Sequence, residues 1–353
     1  MMAKENTFLR MIVALGVAVI FGTANLTAET VYVDNLNGND TNPGTTDKPL
    51  KTLNKAAELI NSTTGSGPTI LKVLPGVYQF QNAVVFENTR PYTKDKRLII
   101  EAAVLPDDSD WKPELMPIVI SSAVPTTNFG FDCSIGLKVE VNHVTIRGLK
   151  LLGNPVSEIY YYPIARENKD LTDLIIRQCL FVGDEDALPI QSGVLAHGNE
   201  IVIDHCVFYN CKNSIVYYFV DEDRTKARVG SEMTYCIIVG GYETGIWTAA
   251  PDQDFKFHHN IITRCANAWI HNTANLTEYS LNNCIITDNE KYIARWTNDK
   301  GPVPSEQAYI EGNIIKEGDV QLVKKDDVSI PKDYLHVVPG TLGSDLGAGL
   351  FLK

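Results

Sequence analysis

The chain has 353 residues, with 43 acidic against 31 basic side chains and a formal net charge of −12. That balance argues against a nucleic-acid partner, which needs a basic face. It also means that an acidic ligand would need a local basic patch or a bridging cation.

The first residues read as an export signal. Lys4 and Arg10 give a basic start, Met11 to Gly22 is an apolar run too short to span a bilayer, and Leu26-Thr27-Ala28 offers a cleavage site. Removing residues 1–28 takes away Lys4, Glu5 and Arg10 and leaves a charge of −13. The expectation is a secreted or periplasmic protein, monomeric, with no membrane span in the mature chain.

No Pro/Ser-rich linker interrupts residues 29–353, so one domain is expected there: a capping segment of about 29–68, coils of about 69–335 and a tail of 336–353. In Pro49 to Ile60, Leu50, Leu53, Ala57 and Ile60 share one helical face, which predicts a helix that caps a core.

From Val144 onward the sequence repeats. The stretches beginning at Val144, Leu174, Ile201, Ser231, Phe255, Tyr279 and Ala308 align without gaps, at a period of roughly 24–30 residues that signals a solenoid. Their third position is Ile146, Ile176, Ile203, Met233, Phe257, Leu281 and Ile310, always apolar and so predicted inside. Their fourth is Arg147, Arg177, Asp204, Thr234, His258, Asn282 and Glu311, polar and so predicted outside. The sixth, Leu149, Cys179, Cys206, Cys236, Asn260, Cys284 and Asn313, suits small side chains stacked inward beside a tight bend, with His205 and His259 at the bend itself. Apolar pairs such as Val207-Phe208 and Ile261-Ile262 then read as a second short strand. A third follows at Ser214–Tyr218, Thr244–Thr248, Ala268–Asn272 and Tyr292–Trp296. Three short strands per repeat with no helix between them predict an all-β fold: a single-stranded right-handed parallel β-helix with an N-terminal capping helix.

Six of the seven cysteines fit this scheme as stacked core residues: Cys179, Cys206, Cys236 and Cys284 in one column, Cys211 and Cys265 in another. Cys211 and Cys265 lie two coils apart, about 10 Å at strand spacing and too far to bond. Free buried thiols are therefore expected, with adjacent pairs such as Cys179–Cys206 still open to oxidation.

In the third strand, Val216, Ile246, Ile270 and Ala294 read as the inward column. Tyr217, Trp247, His271 and Arg295 would then project outward one above another, about 5 Å apart. Aromatic rings can stack on sugars, Arg can bind a carboxylate, and His can move protons near neutral pH. Tyr218 and Trp296, the next residues along, are candidates for the same surface. Tyr160, Tyr161 and Tyr162 either enlarge an aromatic surface or fill a turn. Acidic turns leave this strand, and Asp221, Asp223, Asp252 and Asp254 on adjacent coils could hold Ca²⁺ or supply a carboxylate pair.

Val31-Tyr-Val-Asp34, Gly38-Asn-Asp40, Asn42-Pro-Gly-Thr45, Lys48-Pro-Leu-Lys-Thr52 and Leu74-Pro-Gly-Val-Tyr78 resemble the opening of secreted β-helix proteins of the pectin-lyase-like superfamily. Pro339-Gly340 and Gly343-Ser-Asp-Leu-Gly-Ala348 resemble their closing segment. The resemblance covers almost all of the chain after residue 28 and implies the fold strongly and the chemistry weakly, because the superfamily holds lyases, hydrolases and noncatalytic members. The leading expectation is a polysaccharide lyase acting by β-elimination on a uronate-containing glycan, with His271 as base, Arg295 on the carboxylate, and Tyr217, Trp247, Tyr218 and Trp296 as substrate-binding groups. No diagnostic motif of a lyase family is present. A glycoside hydrolase using a carboxylate pair and a noncatalytic glycan-binding protein stay open.

Overall fold

The structure, a computed structural model, describes residues 29–156, 160–217, 228–249, 252–272, 279–306, 309–327 and 331–352. Residues 1–28, where an export signal is expected, and Tyr218, Asp221 and Asp223 lie outside them. Among the described residues no helix is long and apolar enough to cross a membrane.

The repeat winds into a right-handed parallel β-helix with three faces. The first face stacks strands in register, so that Ile100, Ile146, Ile176, Ile203, Met233, Phe257 and Leu281 form one buried inner column. The second stacks Leu151, Phe181, Phe208, Ile238, Ile262 and Ile286 inside. Strand Ser280–Thr287 runs through the corner and joins both faces into one 17-stranded sheet. The third face is a separate ten-stranded sheet. At its core-facing surface Val194, Ile215, Ile246 and Trp269 are buried and in register.

One residue turns each corner between the first two faces. Gly148, Gln178, His205, Tyr235, His259 and Asn283 all have φ between 50° and 74°. This left-handed conformation costs a non-glycine residue roughly 1–2 kcal/mol. It turns the chain sharply and sets the next residue inward, which is why that position is small. Cys179, Cys206, Cys236, Asn260 and Cys284 are all fully buried there. Asn260 replaces thiol contacts with hydrogen bonds, accepting from the Cys236 amide (2.9 Å) and donating to the Met233 carbonyl (2.8 Å). All seven cysteines are free and buried.

The predicted repeat fails in its last copy. Ile310 registers with Ser280 rather than Leu281 and is 54% exposed. Buried Tyr309 takes the inward direction, and Ile314 rather than Asn313 registers with Cys284. Among the described residues no further strand pairs with this one to enforce the register, and a one-residue slip exchanges the faces.

The capping helix spans Leu53–Asn61 and so begins four residues later than Pro49. Thr52 is its N-cap, accepting from the Lys55 amide, and Leu53, Ala56, Ala57 and Ile60 cover the first coils.

The apolar pairs acquire a second explanation. In the pairs from Leu180-Phe181 to Ile285-Ile286 the second residue enters the core, while the first points away from it. Leu180, Val207, Ile237, Ile261 and Ile285 are nevertheless buried, because the C-terminal segment straps across them with Val320, Val337, Leu346, Leu350 and Phe351. Gly343 makes this approach possible: at φ 73°, a Cβ there would lie 1.9 Å from Ile285 Cδ1. Phe351 finishes the strap edge-on to buried Trp111, with ring centroids 4.6 Å apart. Phe351→Ala is expected to cost about 3 kcal/mol of unfolding free energy, measurable by urea titration.

On the outer side of the first face, buried ion pairs tie coils together. Arg97 grips Asp173 through two hydrogen bonds (2.6 and 2.8 Å), and His143 Nδ1 lies 2.7 Å from the same carboxylate. Burial alone would raise the Asp173 carboxyl, but the hydrogen bonds and charges of Arg97 and His143 outweigh it and hold it below the usual carboxylate range. Its contribution is therefore complete above an unfolded carboxyl value of about 3.9 and disappears as the pH falls below that, through the lower folded value. Asp173→Asn is expected to cost about 3 kcal/mol at neutral pH. The difference from the parent should narrow below about pH 4, read by chemical denaturation across pH.

Candidate functional site

On the outer surface of the third face, Lys138, Ala165, Leu195, Val216, Trp247, Ile270 and Ala294 occupy one register column. Two hairpins rise over it. In the first, Thr126–Asn128 pairs antiparallel with Phe131–Val139 across Phe129 and Gly130, both at positive φ (53° and 77°), the two-residue turn that suits strand twist. It lays Phe129 and Phe131 beside Tyr162 and Leu195. In the second, Lys291–Thr297 pairs with Gly301–Pro304, placing Pro302 opposite Trp296. Trp296 packs against Trp247 with centroids 4.8 Å apart and rings inclined by 36°.

Between these walls lies a cleft of about 300 Å³, floored by Leu195, Val216 and Trp247 and bounded by Phe131, Tyr160, Tyr162 and Trp296. It opens into a wider, polar recess of about 760 Å³ where the strands of this face begin. Tyr160, Gln191, Lys212 and Glu243 line both parts. Successive coils set Gln191, Lys212 and Glu243 one above another. The Glu243 amide donates to the Lys212 carbonyl (2.9 Å), and the Asn213 amide to that of Gln191 (3.1 Å). The following coil has only Ala266 at this level, and that gap and Lys291 complete the recess.

The polar groups are held firmly. Asn213 Nδ2 donates to Glu243 Oε2 (2.9 Å) and to the Gln191 carbonyl (3.1 Å), and Asn267 Nδ2 donates to the Glu243 carbonyl (2.6 Å). Three buried polar atoms beside the cleft have no hydrogen-bond partner among the described residues: Asn213 Oδ1, Asn267 Oδ1 and Trp247 Nε1. Such atoms are costly unless something pairs with them. Burial, then the neighbouring Cys211 thiol and the Glu185 and Glu243 carboxylates, push the Tyr242 phenol up. It stays protonated at neutral pH and can donate a proton.

The ladder expected from Tyr217, Trp247, His271 and Arg295 does not form. Register aligns Tyr217 with Thr248, His271 and Arg295, whereas Trp247 aligns with Val216, Ile270 and Ala294. Trp247 belongs to the cleft. Tyr217 is buried in the core, edge-on to Phe255 at 5.1 Å. His271 is 4% exposed, with Nε2 2.7 Å from Ser305 Oγ, and Arg295 is exposed outside the residues lining the cleft. The cause is that both surfaces of this sheet are largely apolar, so alternation carries little information about which surface faces the core. Of the other substrate-binding candidates, Trp296 is in the cleft and Tyr218 lies outside the described residues. The three consecutive tyrosines divide, with Tyr160 and Tyr162 at the cleft and Tyr161 in the core.

Of the acidic turns, Asp221 and Asp223 lie outside the described residues, and only the backbone of the segments that follow is paired. Arg228–Val229 pairs with Asp252–Gln253, and Asp254 is exposed at φ 62°. Among the described residues no three His, Cys, Asp or Glu side chains converge as a metal site. Sequence reading offers Glu243 only as one of several acids open to a hydrolase, and it does not single out Lys212, Gln191 and Tyr242. Their signal is a polar column just before each third strand, legible only once the register is known.

The family described as "Right handed beta helix region" matches residues 137–315, just over half of the chain, and this chain belongs to that family. Similar solved structures include a rhamnogalacturonan lyase, at 14% identity over 75% of this chain and 70% of that one, with a TM-score of 0.51. The pectate lyase Pel9A is similar at 10% identity over 82% of this chain and 77% of that one, with a TM-score of 0.52. At these identities the likeness is one of fold. No curated protein matches the chain by sequence.

Proposed function

We propose that the cleft on the third face binds a uronate-containing polysaccharide and that the protein cleaves it by β-elimination. The observation that carries this reading is the pairing of an indole wall, Trp247 on Trp296, with a lysine-bearing polar row in one cleft. Sugar rings stack on aromatic faces, and their hydroxyls both donate and accept, which suits the Gln191, Lys212 and Glu243 side chains that line the cleft. Lys212 and Lys291 supply positive charge for one carboxylate, matched locally because the chain as a whole is acidic.

Elimination needs the carboxylate neutralised, the adjacent proton taken and the leaving oxygen protonated. Lys212 and Lys291 serve the first need, the Glu243 carboxylate the second and the Tyr242 phenol the third. This assignment replaces His271 and Arg295, which stand away from the cleft. The two lyases of similar fold agree with the reading without establishing it.

The test incubates purified protein with pectic, alginate and glycosaminoglycan polymers, with and without Ca²⁺, and follows the ultraviolet absorbance of unsaturated uronate ends. A rise with one polymer is expected. New reducing ends without absorbance would replace elimination by hydrolysis, and no change in either would remove the catalytic reading.

A further inference from the structure

The first corner of the helix carries a second group of side chains, remote from the cleft and outside the proposed reaction. There the side chains of His205, Tyr235 and His259 stack on successive coils. His205 and Tyr235 have centroids 4.8 Å apart with rings inclined by 14°, and Tyr235 and His259 are 4.7 Å apart at 18°. His258 precedes His259 on the polar side of the first face, its ring at 89° to that of His259. The two Nδ1 atoms face each other at 2.9 Å.

Two lone pairs cannot share that distance without something between them. In the free protein one nitrogen must carry a proton and donate it. A divalent transition ion is the alternative. With metal–nitrogen bonds of about 2.0–2.1 Å, two cis ligands at a right angle stand about 2.9 Å apart, the separation found here. A tetrahedral ion would hold them at roughly 3.3 Å. We infer that His258 and His259 form a bidentate site for a tetragonal divalent ion of the Cu²⁺ or Ni²⁺ class.

The surroundings support the pair as ligands. The solenoid fixes both backbones, His258 at a strand end and His259 at φ 56°, so little ordering remains for binding to supply. Tyr235 holds the His259 ring from one side. The Asn283 amide lies 3.4 Å from His259 Nε2. The Asn283 oxygen accepts from Asn313 Nδ2 (2.9 Å); with both amides turned, that hydrogen bond persists with its roles exchanged, the Asn283 oxygen accepts from Nε2–H, and Nδ1 is left as the ligating nitrogen. His205 is excluded as a third ligand through Nδ1, which lies 2.7 Å from Asp204 Oδ1. No third His, Cys, Asp or Glu joins the pair among the described residues, so water fills the remaining positions.

The experiment titrates Ni²⁺ into the untagged protein by calorimetry and records the paramagnetic resonance spectrum of its Cu²⁺ complex. Binding at one ion per chain is expected, weakened at least about tenfold in H258N and equally in H259N, with circular dichroism unchanged. The Cu²⁺ spectrum of the parent should show two coupled imidazole nitrogens, and H205N should bind as the parent does. Equal affinity in the parent and both His258 and His259 variants, or a Cu²⁺ spectrum with one imidazole, would overturn the site. Absence of Ni²⁺ and Cu²⁺ binding would do the same.

Discussion

Trp269→Ala is expected to lower the unfolding free energy by about 4 kcal/mol, within the range for deleting a buried aromatic side chain. Trp269 is 1% exposed and packs in the core. Its ring centroid lies 5.0 Å from Phe257, 5.3 Å from Tyr309 and 5.4 Å from Tyr279, and its Nε1 donates to Thr248 Oγ1 at 2.9 Å. Truncation would remove these contacts together and leave a cavity under the terminal coils. Urea denaturation followed by circular dichroism measures the effect. A loss below about 1 kcal/mol would match a surface residue and would contradict the core placement of Trp269.

Lys212→Ala is expected to lower kcat by about two to three orders of magnitude, the scale of removing one charge-stabilising group from an active site. The proposed elimination passes through a carbanion whose charge spreads onto the uronate carboxylate, so in it the lysine acts more strongly on the transition state than on bound substrate. KM should therefore change much less than kcat. Lys212→Arg keeps the charge with a different shape and should retain more activity than alanine does. Steady-state kinetics on the polymer that gives absorbance settles it. Equal kcat in Lys212→Ala and the parent would remove Lys212 from the chemistry.

The first face is legible in the sequence because its outer side is polar. Arg147, Arg177 and Asp204 alternate with Ile146, Ile176 and Ile203, so period-two reading assigns the surfaces correctly. His205 and His259 fall at the corner because the columns on either side of them are in register. The second face is half legible. Phe208 and Ile262 face the core, but Val207 and Ile261 face a strap whose position depends on residues far along the chain. The third face misleads for a related reason. Its outer side buries Leu195, Ile270 and Ala294, so the two surfaces resemble each other in composition. One misplaced register assigns Tyr217 and His271 to the surface, while of the expected ladder Trp247 alone lines the cleft. The cleft also needs partners from elsewhere, Phe131 from one hairpin and Pro302 from another, and no local pattern announces those meetings.

With the cleft of Trp247 and Trp296 as the glycan site, the chain's four tryptophans report on binding directly. The measurement is the shift of the four indole N–H resonances as a saturated uronate oligosaccharide is added to ¹⁵N-labelled protein, with assignments from single tryptophan replacements. Trp247 and Trp296 should move together along one saturating curve, while buried Trp111 and Trp269 stay in place. Saturating binding of the oligosaccharide with all four resonances unmoved would place the glycan elsewhere on the β-helix and contradict the assignment of this cleft.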